Sequence, residues 1–205
     1  MPMKVKICGI TNLVDALQAV SSGADLLGFM FYPKSPRYVT PETAAAIVAE
    51  LPADIEKVGI FVDESNDAMC AIAGQAGLTI VQMHGHESPE QVAAMQAYPV
   101  VKAVALREHS DLAGLNEFEG CTLLVDTPSP DYGGTGKIGN WKLAAAAAET
   151  HQIFLAGGLN ADNVAAAIAA VHPYGVDVSS GVERKKGLKD HNKVAAFIAN
   201  AICES

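Results

Sequence analysis

Cys8 and Asp126 each end a short apolar run, Val5-Lys6-Ile7-Cys8 in one case and Thr122-Leu123-Leu124-Val125-Asp126 in the other. Where parallel strands close into a barrel, their carboxyl ends converge on one mouth, and the chemistry of such barrels is found there. A thiol and a carboxylate at that mouth could pass a proton between them, one as base and the other as acid. Side chains alternate along a strand, so Lys4, Lys6 and Cys8 share a face. With Val5 and Ile7 turned toward covering helices, Lys6 and Cys8 point into the barrel, where a buried ammonium would help to lower the thiol's pKa. Each residue also has a plainer reading. A cysteine beside Gly9 is an ordinary small core residue, and an aspartate before Thr127-Pro128 caps a loop.

The elements that would position this pair follow from period and punctuation. Apolar runs predict strands over 5–8, 26–31, 57–62, 79–84, 100–105, 122–126, 153–156 and 175–178. Helical periodicity fills 12–22, 41–50, 65–76, 88–97, 110–116, 141–149, 161–170 and 191–203. Thr40-Pro41 places proline at a first helical position, and Ser88-Pro89-Glu90-Gln91 has the spacing of a capping box. Gly23, Gly77 and Gly120 follow segments as C-terminal helix glycines do. Strict alternation implies parallel strands joined by right-handed crossovers. Eight repeats, with no G-x-G-x-x-G after the first strand, favour a closed eightfold (β/α)8 TIM barrel over an open doubly wound sheet. Residues 1–205 read as one α/β domain with short loops.

Two loops suggest a phosphate ligand. Gly157-Gly158 leave the seventh strand and Ser180-Gly181 the eighth, and many barrels bind phosphate between the loops that follow those strands. Lys34, Arg37, Lys137, Arg184, Lys185 and Lys186 fall in strand-to-helix loops, where they would focus positive potential at one mouth; the same cations also suit a solvated surface. Tyr132-Gly133-Gly134-Thr135-Gly136-Lys137 fails as a nucleotide loop, since Ile138 stands where Ser or Thr would hold magnesium; it reads instead as a flexible loop over the mouth. His84-Gly85-His86 lacks a carboxylate ligand set, so no metal is expected and His84 reads as lining the mouth.

Composition excludes several classes. A formal charge of −9 argues against nucleic acid as partner. No apolar stretch approaches the roughly 20 residues of a membrane span, and no signal-peptide core is visible, which predicts a soluble, cytoplasmic protein without membrane partners. The four cysteines, Cys8, Cys70, Cys121 and Cys203, are too scattered for a disulfide framework or zinc spacing.

Taken together, Lys6-Ile7-Cys8-Gly9-Ile10-Thr11, Gly28-Phe29-Met30-Phe31 with Ser35-Pro36-Arg37, Val58-Gly59-Ile60-Phe61-Val62, Val81-Gln82-Met83-His84-Gly85, Leu124-Val125-Asp126, Leu155-Ala156-Gly157-Gly158-Leu159 and the run Gly175 to Glu183 resemble phosphoribosylanthranilate isomerases from end to end. The resemblance implies a cofactor-free Amadori rearrangement in tryptophan biosynthesis, on a small phosphorylated substrate, by a monomer or homodimer. It makes Asp126 the general acid and Cys8 the general base, gives Arg37 the anthranilate end and the glycine loops the phosphate, and places His84 and Asp177 on the substrate. Lys137-Ile138-Gly139-Asn140-Trp141 departs from the family's more usual Phe-Asp before the tryptophan.

That chemistry starts from a thiolate and a neutral carboxylic acid, whereas ordinary values of about 8.5 and 3.9 favour the reverse; unperturbed, the reactive form is about 10⁻⁴·⁶ of the enzyme, a loss of about 6 kcal/mol. The expectation is that cations lower Cys8 and partial burial raises Asp126. The competing readings are another phosphosugar barrel, of the epimerase or indole-glycerol-phosphate synthase type, and a barrel that binds a phosphorylated ligand without turnover. The first lacks the expected metal ligands or extra N-terminal segment, and the second has no reason to keep both Cys8 and Asp126.

Overall fold

The structure, a computed structural model, describes residues 3–126 and 141–203. Its eight principal strands are β1 (Lys4–Cys8), β2 (Leu26–Met30), β3 (Glu56–Phe61), β4 (Ile80–Met83), β5 (Val100–Ala105), β6 (Thr122–Asp126), β7 (Ile153–Leu155) and β8 (Gly175–Val178). They pair in parallel in sequence order, and β8 returns to β1 with Asp177 opposite Lys6, closing the barrel. The helices between and after them are α1 (Leu13–Ser21), α2 (Pro41–Val48), α3 (Asn66–Ala76), α4 (Pro89–Ala94), α5 (Asp111–Gly114), α6 (Trp141–Ala148), α7 (Val164–Val171) and α8 (His191–Ile202). The expected (β/α)8 barrel is therefore the observed one. None of the helices among the described residues is long and apolar enough to cross a membrane.

The alternation of strand residues sorts the core into two parts. Outward residues such as Ile7, Leu27, Val81, Leu123 and Val176 join a continuous shell beneath the helices. Inward residues Leu26, Val58, Val101, Leu124 and Phe154 plug the barrel's lower half. Each fully buried side chain of this size contributes about 1.5–3 kcal/mol, so the plug is a firm floor and not a channel. Gly175 makes room for it: a Cβ there would overlap the Phe154 ring.

Helix starts carry the expected chemistry in part. Asn12, Thr40, Ser65 and Ser88 each accept a backbone N–H of the first turn, and Gly77 closes α3 at φ 67°. The capping box at Ser88 is half formed, because the Gln91 side chain donates to Glu64 O and does not turn back to Ser88. Helix α4 stops at Ala94, three residues short of expectation, as Met95 leaves helical geometry (ψ 81°). Helix α5 is a single turn that tightens into a 3-10 turn at Leu115–Phe118. Helix α7 begins at Val164 because the Asn160 and Asn163 side chains take the N–H groups of Asp162 and Asn160 and hold the preceding segment as a turn.

After β8 the chain makes a 3-10 turn, Ser180–Val182, and an antiparallel hairpin of β9 (Glu183–Lys185) and β10 (Leu188–Lys189), none of which the periodicity predicts. Strands of three and two residues are too short to show alternation.

Outside the barrel, Lys102 on β5 and Glu87 before α4 form a buried ion pair at 2.7 Å. Glu87 also accepts the N–H groups of Asp63 and Gly85, tying the loops after β3 and β4 together. Removing one partner leaves a buried charge uncompensated. Lys102→Met is expected to cost about 3 kcal/mol, read as a lower urea midpoint at unchanged m-value; a midpoint equal to the parent's would show that the pair contributes nothing net.

Candidate active site

All nine residues singled out by sequence, Cys8, Arg37, His84, Asp126, Gly157, Gly158, Asp177, Ser180 and Gly181, line one cavity of about 620 Å³ at the carboxyl ends of the strands. Of the cations expected there, Lys34, Arg37 and Lys186 line it. Arg184 and Lys185 stand exposed on β9, and Lys137, like the whole Tyr132–Lys137 loop, lies outside the described residues.

Cys8 ends β1 where Gly9 turns the chain at φ 77°. A side chain at Gly9 would press on Arg37 Cδ at 2.6 Å and Ser179 Oγ at 3.0 Å, so the glycine lets the arginine stem lie against the strand end. Gly28 does the same for the thiol, since a Cβ there would lie 3.1 Å from Cys8 Sγ. Below the thiol sits a polar layer on the apolar plug. The fully buried Lys6 ammonium donates to Asp177 Oδ1 and Gln82 Oε1, both at 2.8 Å. Burial opposes its charge, yet Asp177 and Cys8 hold the ammonium above its ordinary value.

The expected lowering of the Cys8 thiol is not what this environment does. Burial, the largest influence, pushes the thiol up and Asp177 adds to it; Lys6, Lys189 and Arg37 pull the other way without overcoming them. A thiol inside a dry barrel loses more water than three nearby cations replace. Asp126 faces the same cavity from β6 with its side chain 22% exposed, and His84 Nε2 stands 3.5 Å from its Oδ2. His84 and His86 diverge: the first enters the cavity, while the second is exposed beside Asp63. Gly85 between them is needed for space, as a Cβ there would overlap Asp63 Oδ1. Among the described residues no three metal-ligating side chains come together.

Arg37 is held by a residue that sequence reasoning assigned no role. Its Nε and Nη2 donate to the two carboxylate oxygens of Glu183 on β9, at 2.7 and 2.8 Å, and the arginine lines the cavity. Lys189 on β10 completes the arrangement. Its buried ammonium donates to Glu183 Oε1, Cys8 O and Ser179 O, which accounts for all three of its protons. Burial would lift the Glu183 carboxyl, but Arg37 and Lys189 hold it below its usual range. One ion cluster thus fixes the arginine, the end of β1 and the start of the loop after β8. Gln82 had a detectable signal, a polar residue in an apolar strand two positions before His84. Lys189 had none.

The glycine-bearing loops after β7 and β8 abut. Gly157 and Gly158 adopt φ 83° and 68°, open only to glycine at low cost, and a Cβ on Gly181 would overlap Leu159 O. Asn163 Nδ2 braces the first loop through Gly158 O.

A family profile for N-(5′-phosphoribosyl)anthranilate (PRA) isomerase matches residues 5–200. The chain belongs to the phosphoribosylanthranilate isomerase family. It is 52% identical over 197 residues, 96% of this chain and 94% of the relative, to N-(5′-phosphoribosyl)anthranilate isomerase of Pelobacter propionicus. The phosphoribosyl anthranilate isomerase structure from Thermotoga maritima superposes with a TM-score of 0.93 at 44% identity, covering 97% of this chain and 98% of that one. Another phosphoribosyl anthranilate isomerase structure, at TM-score 0.89, 41% identity and the same coverage, was solved in complex with reduced 1-(o-carboxyphenylamino)-1-deoxyribulose 5-phosphate. The protein is accordingly a (β/α)8 isomerase of this family.

Proposed function

We propose that the enzyme converts N-(5-phosphoribosyl)anthranilate to 1-(2-carboxyphenylamino)-1-deoxyribulose 5-phosphate in tryptophan biosynthesis, in the cytoplasm and without a cofactor. Family membership supports the reaction, and the convergence of Cys8 and Asp126 on one cavity with Arg37 and the paired glycine loops carries the assignment of roles. Asp126 gives its proton to the furanose ring oxygen as the C1′–O bond breaks and the anilino nitrogen lone pair forms C1′=N. Cys8, as thiolate, then removes the C2′ proton; the C2′–H electron pair forms C1′=C2′ as the C1′=N pair returns to nitrogen, giving an enolamine. Tautomerisation moves the O2′ proton to C1′ and leaves the ketone. The pair ends as thiol and carboxylate, so it must exchange a proton before the next turnover.

The carboxylate of the anthranilate ring fits the outer edge of Arg37 bidentately. The phosphate fits the backbone amides of Gly157, Gly158, Ser180 and Gly181, and His84 and Asp177 contact the sugar between these anchors. Because Glu183 pre-positions Arg37, Glu183→Gln is expected to raise KM about tenfold with kcat little changed, since an interaction made equally in ground and transition states affects binding alone. The same variant acting on an analogue lacking the ring carboxylate should match the parent. An equal loss on both compounds would remove the clamp from carboxylate recognition.

The reaction itself is tested by following freshly prepared phosphoribosylanthranilate, ¹³C-labelled at C2′, with purified chelator-treated enzyme. A ketone resonance from C2′ is the expected product signal. Unchanged substrate, or only its hydrolysis to anthranilate, would contradict the reading.

A further inference from the structure

The floor of the cavity contains a hydrogen-bond chain whose polarity is set at one end, and we infer that Gln82 is a positioning residue that holds His84 as the Nε2-protonated tautomer facing Asp126. An ammonium has donors only, so the end of the Gln82 amide lying 2.8 Å from Lys6 Nζ must be its oxygen. The amide nitrogen therefore faces His84 Nδ1, at 2.9 Å. That nitrogen also has donors only, so Nδ1 must be the bare, accepting nitrogen. A neutral imidazole with a bare Nδ1 carries its proton on Nε2, and Nε2 is the atom 3.5 Å from Asp126 Oδ2. The fixed charge of a buried lysine on β1 is thereby converted, through β4, into a donor aimed at the carboxyl on β6.

The arrangement is rigid where it has to be. Lys6 and Gln82 are each 1% exposed, and Asp177 takes a second proton of the ammonium, so neither the cation nor the amide has water as an alternative partner. A flipped Gln82 would set an NH2 group against an ammonium and a carbonyl against His84, losing the Lys6 bond in a site where an unmade hydrogen bond costs about 1–3 kcal/mol.

For the acid, the consequence is positional. With an N–H facing Oδ2, the acidic proton of Asp126 belongs on Oδ1, and once that proton is transferred the new carboxylate has a donor beside it. At 3.5 Å the contact is longer than a well-formed hydrogen bond and shortens as charge appears on the carboxylate. This role rests on Asp126 acting as the acid; the tautomer itself does not.

The test uses the whole enzyme labelled with ¹⁵N-histidine. Long-range ¹H–¹⁵N correlation spectra, assigned by the loss of one ring system in His84→Asn, are expected to show His84 with a bare Nδ1 and a protonated Nε2 above the imidazole titration range. In Gln82→Glu the side chain next to Nδ1 becomes an acceptor, and the proton is expected to appear on Nδ1. Turnover of phosphoribosylanthranilate should then fall about tenfold in kcat, with KM within about twofold. A parent spectrum with Nδ1 protonated overturns the inference, whatever the activity. An unchanged His84 pattern in Gln82→Glu overturns it as well. The expected tautomer in a protein that does not turn over phosphoribosylanthranilate would instead defeat the proposed reaction and leave the tautomer assignment standing.

Discussion

Asp126→Asn should lower kcat by about a thousandfold and leave the fold intact. An amide of the same shape fills the place at the end of β6, where the side chain is partly exposed and packs into no apolar cluster, so its replacement disturbs little of the barrel. On the proposed reading it removes the proton for the ring oxygen, and a positioned general acid contributes about 10² to 10⁴ in rate. Ring opening then has to draw its proton from water. Near-normal kcat in a variant with the parent's circular dichroism would show that another group protonates the sugar.

Cys8→Ala carries a comparable loss and a signature in pH. In the active ionisation state of the proposed reaction the pair holds one proton between carboxyl and thiol, so titration of the thiol sets the alkaline edge of activity. The rate falls at high pH when that proton leaves, which happens at the thiol. Burial raises the Cys8 thiol, so the basic limb of kcat/KM is expected at higher pH than the titration of a free thiol. Stopped-flow assays across that range read it directly. In Cys8→Ala kcat falls by about a thousandfold, and the residual rate lacks this limb. A basic limb below about pH 8 in the parent would mean that the thiol is acidified in the free enzyme, contrary to its surroundings.

The raised thiol sharpens the question of how the reactive form arises. Burial disfavours a lone thiolate, and the cations facing it are already committed: Lys6 to Asp177 and Gln82, Lys189 to Glu183 and two carbonyls, Arg37 to Glu183. In the proposed mode of binding, substrate changes this balance at Arg37 and Asp126, the two groups that meet its carboxylate and its ring oxygen.

Much of the site was legible in the sequence because strand ends are. An apolar run that stops at Cys8, Asp126 or His84 marks a position where a side chain leaves the core for the mouth, and the closed barrel brings such positions together without further information. Gly157-Gly158 after β7 and Ser180-Gly181 after β8 were readable for the same reason. The sign of the Cys8 shift was not readable, since it depends on how completely a thiol is dehydrated relative to the cations near it. Nor was the ion cluster of Glu183 and Lys189. It joins β9 and β10 to Arg37 and Cys8 across 146 and 181 positions of chain, on strands too short to leave a pattern. Lys6 and Gln82 fall between these cases: polar residues inside apolar strands announce a buried network, while only the coordinates reveal which atoms it joins.

The most direct test compares the parent, Cys8→Ala and Asp126→Asn in one chelator-treated assay, following the loss of anthranilate-type fluorescence from freshly made phosphoribosylanthranilate. Rapid loss in the parent, reduced about a thousandfold in each variant while all three bind the reduced product analogue alike, is the predicted result. Equal loss in the parent and either variant would contradict the assignment of that residue, and absence of loss in the parent would contradict the reaction.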